Sequence, residues 1–140
     1  MAFTQSSKTT KNLSKELSPS GLLFFLLERN NGLAWRRFRS KSIWNYFEGD
    51  VAELLWIDQD QEHYYSQNMG PTSGKCLPAH FIPRGVWHTL RTSGAYTLLG
   101  CSMPDESDLD RMDGLSSLPR DAAQLKRLFP ELNGIMPFKD

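Results

Sequence analysis

Between residues 21 and 103 the chain is cut into short apolar and aromatic runs, and the gaps between them are filled by residues that turn a backbone. "LLFFLLE" stops at "RNNG". "LAWRRFR" and "SIWNYFE" follow, and Gly49-Asp50 turns the chain into "VAELLWID". "DQDQ" leads to "EHYYS", then the turn-rich "QNMGPTSGK" to "CLPAHFI", "PRG" to "VWHTLRT", and Ser93-Gly94 to "AYTLLGCSM". Asn and Gly tolerate positive φ, so these gaps are hairpin chemistry. About eight short strands at this spacing predict an all-β sandwich or barrel.

The ends differ from this middle. Residues 1–20 are rich in Ser, Thr and Lys and poor in apolar residues, which predicts a mobile arm docking on a partner subunit. Residues 21–140 form the single domain. After the acidic, loop-like "PDESDLDRMDG", the segment "SLPRDAAQLKRLF" reads as a short helix. Ser117 caps it, Pro119 suits its first turn and Asp121 complements its dipole. Leu125, Leu128 and Phe129 share the face that packs on the strands.

The chain has 140 residues, enough for one real core, with 16 basic against 16 acidic residues. A net charge of zero argues against nucleic-acid partners and against an electrostatic membrane tether. "LLFFLL" is too short for a membrane span and lacks the cleavage site of a signal peptide. Cys76 and Cys101 have neither metal-site nor dense disulfide spacing, and they read as reduced thiols of a cytoplasmic protein.

The chemistry centres on two stretches. "PRGVWH" (83–88) has the form P-x-G-x-x-H, in which Pro and Gly make a tight turn and the following strand points His88 into the barrel. With "WRRFRSKSIWNYFEGDVAELLWID" before it and "GAYTLLGCSM" and "LKRLFPEL" after it, the order resembles a small cupin family long catalogued as a domain of unknown function. The resemblance covers about residues 21–138 and implies a jelly-roll barrel with a short C-terminal helix. That family has histidine where Arg36 stands, glutamate at Ser42, and paired histidines at Asn45 and Phe47. A metal needs three or four N/O donors, and Arg and Phe cannot ligate. The resemblance therefore implies a cupin whose metal ligands are replaced, with no metal and no other cofactor.

Alternation places i, i+2 and i+4 on one face. By the resemblance the inner face carries Arg36 and Phe38, then Ile43, Asn45 and Phe47, with His88 pointing inward and Trp44 and Tyr46 on the opposite face. A buried Arg36 needs an anion, either Glu53 or Glu48 or a ligand's carboxylate, phosphate or enolate. His88 is either a general acid/base or a structural hydrogen-bonding group, and Asn45 either an oxyanion donor or a buried bridge. Phe38, Phe47, Ile43, Glu53 and Tyr96 are the candidate ligand contacts. Trp35, Trp44, Trp56 and Trp87 read as core or interface, and buried Cys101 as inert.

The leading expectation is metal-independent proton transfer on a small carbonyl compound, as in an isomerase, epimerase, dehydratase or cyclase, with His88, Arg36 and Asn45 as the catalytic set. The others are a cupin that binds a sugar- or nucleotide-like ligand without turnover, and a structural homodimer with a filled barrel. A homodimer is expected in each case, using aromatics of "WRRF" and "EHYY".

Overall fold

A computed structural model describes residues 22–30, 32–60, 62–104 and 111–132. The arm expected at 1–20 lies outside the described residues. The strands are β1 (Leu22–Glu28), β2 (Arg36–Phe38), β3 (Ser42–Gly49), β4 (Ala52–Asp58), β5 (His63–Met69), β6 (Cys76–Leu77), β7 (Ala79–Ile82), β8 (His88–Thr92), β9 (Tyr96–Ser102) and β10 (Met112–Gly114). Among the described residues one α-helix, α1 (Pro119–Leu128), follows.

The strands form two sheets, one in the order β1-β9-β3-β7 and one in the order β10-β2-β8-β4-β5-β6. Pairing is antiparallel except between β5 and β6. The turns sit where Asn and Gly were placed to take them. Asn30 has φ 67°, Gly49 φ 97° and Gly85 φ 78°. These are left-handed conformations that most side chains resist.

Alternation divides the larger sheet between two cores. The facing surfaces of the two sheets enclose Leu23, Phe25, Phe38, Trp44, Leu54, Leu90, Leu99 and Cys101. The outer surface of the larger sheet supports the second core, where Trp35, Leu55, Ile57 and Trp87 meet Leu125 and Phe129 at the helix end of the chain. Each large apolar side chain buried this way contributes on the order of 2–3 kcal/mol of transfer free energy. Arg37 ties the helix to the sheet. Its guanidinium lies over the Trp87 ring at 4.6 Å and bonds Asp113 at 2.9 Å and Asp121 at 3.4 Å.

Four expectations need correction. β10 lies in a stretch that reads as a loop, because its strand character comes from pairing with the edge of β2 rather than from its own residues. The helix N-cap is Leu118 without a side-chain cap, while Ser117 belongs to a 3-10 turn, Leu115–Ser117, ahead of it. "WRRF" offers no aromatic surface, since Trp35 is 0% and Phe38 3% exposed. Tyr65 of "EHYY" is exposed at 39%, and the most exposed large apolar side chains are Ile43, Phe47 and Phe81, at 44%, 45% and 48%.

That last point reverses the expected phase of β3. Ser42 and Trp44 are buried at 1% and 0%, so Ile43, Asn45 and Phe47 lie on the outer surface of the smaller sheet. The register explains the preference. Trp44 pairs with Cys101, which faces the core, whereas Asn45 pairs with Gly100. Gly100 leaves a slot on the outer surface that Phe47 fills. A Cβ there would lie 2.4 Å from Phe47 Cε2. The Phe24 ring supports Phe47 at 5.4 Å. A bulge between Tyr46 and Glu48 then shifts the rest of the strand.

Candidate functional site in the barrel interior

His88 is positioned by the turn before it. The Pro83–Gly85 reversal delivers β8 beside β2 and β4, and His88 pairs with Arg36 on one side and Trp56 on the other. The imidazole is 0% exposed. Its Nδ1 lies 2.9 Å from the Val86 carbonyl oxygen. An acceptor there fixes the tautomer with Nδ1–H donating, which leaves the lone pair on Nε2. Nε2 is buried without a hydrogen-bond partner among the described residues. Burial holds the His88 pKa down at about 4, with the nearby Arg36 charge adding to the effect against the Val86 hydrogen bond. The imidazole is therefore neutral at physiological pH.

Arg36 is 9% exposed. Its Nε donates to the Ala34 carbonyl at 3.3 Å, Nη1 lies 3.3 Å from Met112 Sδ, and the guanidinium carbon sits 5.4 Å from the Phe25 ring centroid. Phe25 is 5.1 Å from Trp44, and Trp44 stands edge-on to His88 at 5.9 Å and 70°. Phe38 closes the other side of the imidazole at 5.5 Å. Arg36, Phe25, Trp44 and His88 thus form one connected wall of the interior. The Trp44 Nε1–H is also buried without a partner among the described residues. Leaving such a group unpaired costs about 1–3 kcal/mol.

Of the residues expected at the site, the structure brings together His88, Arg36 and Phe38. Asn45, Ile43 and Phe47 are on the far side of the smaller sheet, for the reason given by Gly100. Glu53 faces away from the interior and pairs with Arg91 at 2.7 Å. Glu48 accepts from the Tyr96 hydroxyl at 2.9 Å on the surface. That hydrogen bond, with the Glu48 charge, raises the Tyr96 pKa. Neither acid is where Arg36 was expected to use it. Tyr96 stands at the end of β9, 37% exposed, rather than in the interior.

Sequence reasoning missed Trp44, Trp56 and His80 as interior groups. His80 pairs with Trp44, and its ring lies 4.6 Å from Trp56, which stacks on Tyr65 at 5.7 Å. The signal available was the pairing itself, which places a tryptophan opposite a core cysteine. Cys101, buried as expected, has its thiol pushed up to about 12 by burial, against the lowering effects of Arg36 and Ser42. A pocket of about 310 Å³ opens beside this centre between Trp56, Tyr65, Val86, the Pro83–Gly85 turn and residues 58–60. Trp56 and Val86 are shared by the pocket wall and the surroundings of His88.

The donor set does not fit a metal. No group of three His, Cys, Asp or Glu side chains converges among the described residues. The His88 imidazole has the Arg36 guanidinium as its cross-strand neighbour, which repels a cation. No helix among the described residues is long and apolar enough to cross a membrane.

Comparison with solved structures agrees with this architecture. A Shewanella oneidensis protein matches with TM-score 0.67 at 17% identity, over 84% of this chain and 75% of that one. A hypothetical protein from Leishmania major matches with TM-score 0.60 at 20% identity, over 82% and 72%. A dTDP sugar isomerase from Desulfovibrio desulfuricans G20 matches with TM-score 0.54 at 12% identity, over 66% and 62%. At these identities the likeness is one of fold. No curated protein matches the sequence. The family model described as Cupin_5, Cupin superfamily (DUF985), matches residues 2–104. The two facing sheets, the short C-terminal helix and this match agree, and the chain belongs to the Cupin_5 (DUF985) family of the cupin superfamily.

Proposed function

We propose that the barrel interior carries out metal-independent proton transfer on a small carbonyl compound, with the His88 Nε2 as the base and the Arg36 guanidinium as the charge that steadies the enolate. The observation that carries this reading is the buried, neutral imidazole whose Nδ1 is held by Val86 and whose Nε2 has no partner among the described residues. A base with a pKa near 4 can abstract a carbon-bound proton when the oxyanion is well stabilised. The enolate's negative charge offsets Arg36 and so favours the imidazolium as it forms.

The proton leaves the carbon next to the carbonyl for Nε2. The bonding pair moves into a C=C bond as the carbonyl oxygen gains charge. The proton then returns to the same carbon from the opposite face, giving epimerisation. Where that carbon carries a hydroxyl, the hydroxyl proton passes to the former carbonyl oxygen as the carbon-bound proton returns to the neighbouring carbon, giving isomerisation. The fold neighbours named as a dTDP sugar isomerase and a 3,4-ketoisomerase are compatible with this class, but at 12% and 11% identity they do not identify the substrate. The test is deuterium wash-in from D₂O into a panel of small hydroxyketones and hydroxyaldehydes, followed by NMR. Exchange with the wild-type protein that His88→Gln abolishes supports the reading. Exchange undiminished in His88→Gln refutes it, and binding without exchange assigns the barrel to ligand carriage.

A further inference from the structure

We propose that the pocket between the β4–β5 turn and the β7–β8 turn binds a small organic cation, an alkylated ammonium group in particular. Neither His88 nor Arg36 lines this pocket. A cation site there does not depend on the proton-transfer reading of the interior.

The pocket measures about 310 Å³, which is room for a small molecule rather than a lone ion. Its wall combines two kinds of surface. Trp56 and Tyr65, cross-strand partners on β4 and β5, stack at 5.7 Å and 25°, and Val86 adds an aliphatic side chain. Asp58 at the end of β4 and Asp60 in the turn after it, with Gln59 between them, add two carboxylates. Among the described residues no Lys, Arg or His side chain lines the pocket. Arg84 is the middle residue of the Pro83–Gly85 turn but is not part of the wall. His80 and His63 reach the aromatic pair, at 4.6 Å from Trp56 and 4.8 Å from Tyr65, without lining the pocket.

This mixture decides the class of ligand. Two carboxylates and no basic side chain make the wall electronegative although the whole chain is neutral, so phosphates and carboxylates are repelled. A bare metal ion finds too few donors, because no third His, Cys, Asp or Glu converges with the pair among the described residues. The aromatic and aliphatic part of the wall suits a weakly hydrated cation that carries its own apolar surface. Aromatic rings attract such a cation, indole most strongly. Trp56 and Asp58 are half-buried, which makes their attraction stronger than that of a fully exposed pair, while Asp60 and Tyr65 are exposed and form the rim.

Choline is the probe, and 3,3-dimethylbutan-1-ol, the same shape without the charge, is its control. In ¹⁵N-labelled protein, choline is expected to move the Trp56 indole signal saturably. The signals of Trp35, Trp44 and Trp87, each exposed by 1% or less, should stay in place. The alcohol is expected to bind about tenfold more weakly, or worse. Added salt should weaken choline binding and leave the alcohol unchanged. Asp58→Asn combined with Asp60→Asn should bind choline no better than the alcohol, and Tyr65→Leu, which keeps an apolar wall without the ring, should also lose choline affinity. Equal wild-type affinity for choline and the alcohol, saturation by choline with the Trp56 signal unmoved, a response to inorganic phosphate instead, or no choline binding at all would overturn the proposal. So would undiminished choline affinity in the double Asn variant. If that variant does not fold, the wild-type comparison of choline with the alcohol decides by itself. None of these outcomes bears on deuterium wash-in, so the two readings fail separately.

Discussion

Arg36 and His88 stand directly opposite each other on β2 and β8, a permanent cation beside an imidazole sealed from water. Cross-strand partners share a face of their sheet, so this pairing is set by backbone register and needs no flexible reach from either side chain. Burial is the main reason that the neutral imidazole is the stable form, and the Arg36 charge adds to it.

The burial of His88 beside Arg36 has a consequence for stability. His88 titrates at about 4 in the folded chain against 6.5 for the free side chain. Below pH 6.5 the unfolded chain binds a proton that the folded chain refuses, so acidification favours unfolding. Stability from this residue is complete above pH 6.5 and falls away toward pH 4, by roughly 3 kcal/mol over the whole interval. Denaturant titrations at a series of pH values should show that slope in the wild type and its absence in His88→Gln. An equal slope in both would assign the acid sensitivity elsewhere.

Gly49 and Gly85 both have positive φ but differ in their surroundings. A Cβ on Gly49 would stand 2.5 Å from the Tyr96 carbonyl oxygen, while one on Gly85 meets nothing within 4 Å. Gly85→Ala is expected to cost about 1 kcal/mol, the left-handed penalty alone. Gly49→Ala should cost roughly 2–4 kcal/mol, because backbone must move as well. Paired urea melts decide the order.

The two cysteines should react very differently. Cys76 is half-buried, whereas Cys101 is buried with its thiol pushed up to about 12. The thiolate is the reactive form. A thiol-specific chromogenic reagent should label Cys76 of the native protein and reach Cys101 only on unfolding. Cys76→Ser is expected to abolish the native-state reaction.

Tyr96 offers a reporter at the barrel rim. Its hydroxyl donates to Glu48, whose charge resists a second negative charge beside it and raises the phenol pKa. Glu48→Gln should bring the Tyr96 transition to lower pH in an ultraviolet titration, with the other tyrosines unmoved. A titration identical to wild type would show that the contact is not kept in solution.

Much of this architecture is written locally. The turn residues Asn30, Gly49 and Gly85 occupy positions only their backbones tolerate easily, so the strand breaks around them are legible without a structure. The helix face of Leu125 and Phe129 is legible from its spacing, while the interior positions of His88, Arg36 and Phe38 come from the family resemblance, alternation alone leaving either face open. What local pattern leaves open is phase. Period-two alternation sorts β3 into Ser42, Trp44 and Ile43, Asn45, Phe47, but either set can be the inner one. Tertiary pairing decided it, by setting Trp44 against Cys101 and giving Phe47 the slot over Gly100. The sequence by itself determined the strand breaks and the helix face, and through its family resemblance it pointed to His88 and Arg36 sharing the barrel. Only the packing of the two sheets determined that the third group facing them is an indole rather than an amide, because which face of a strand is buried depends on the side chains its neighbours present.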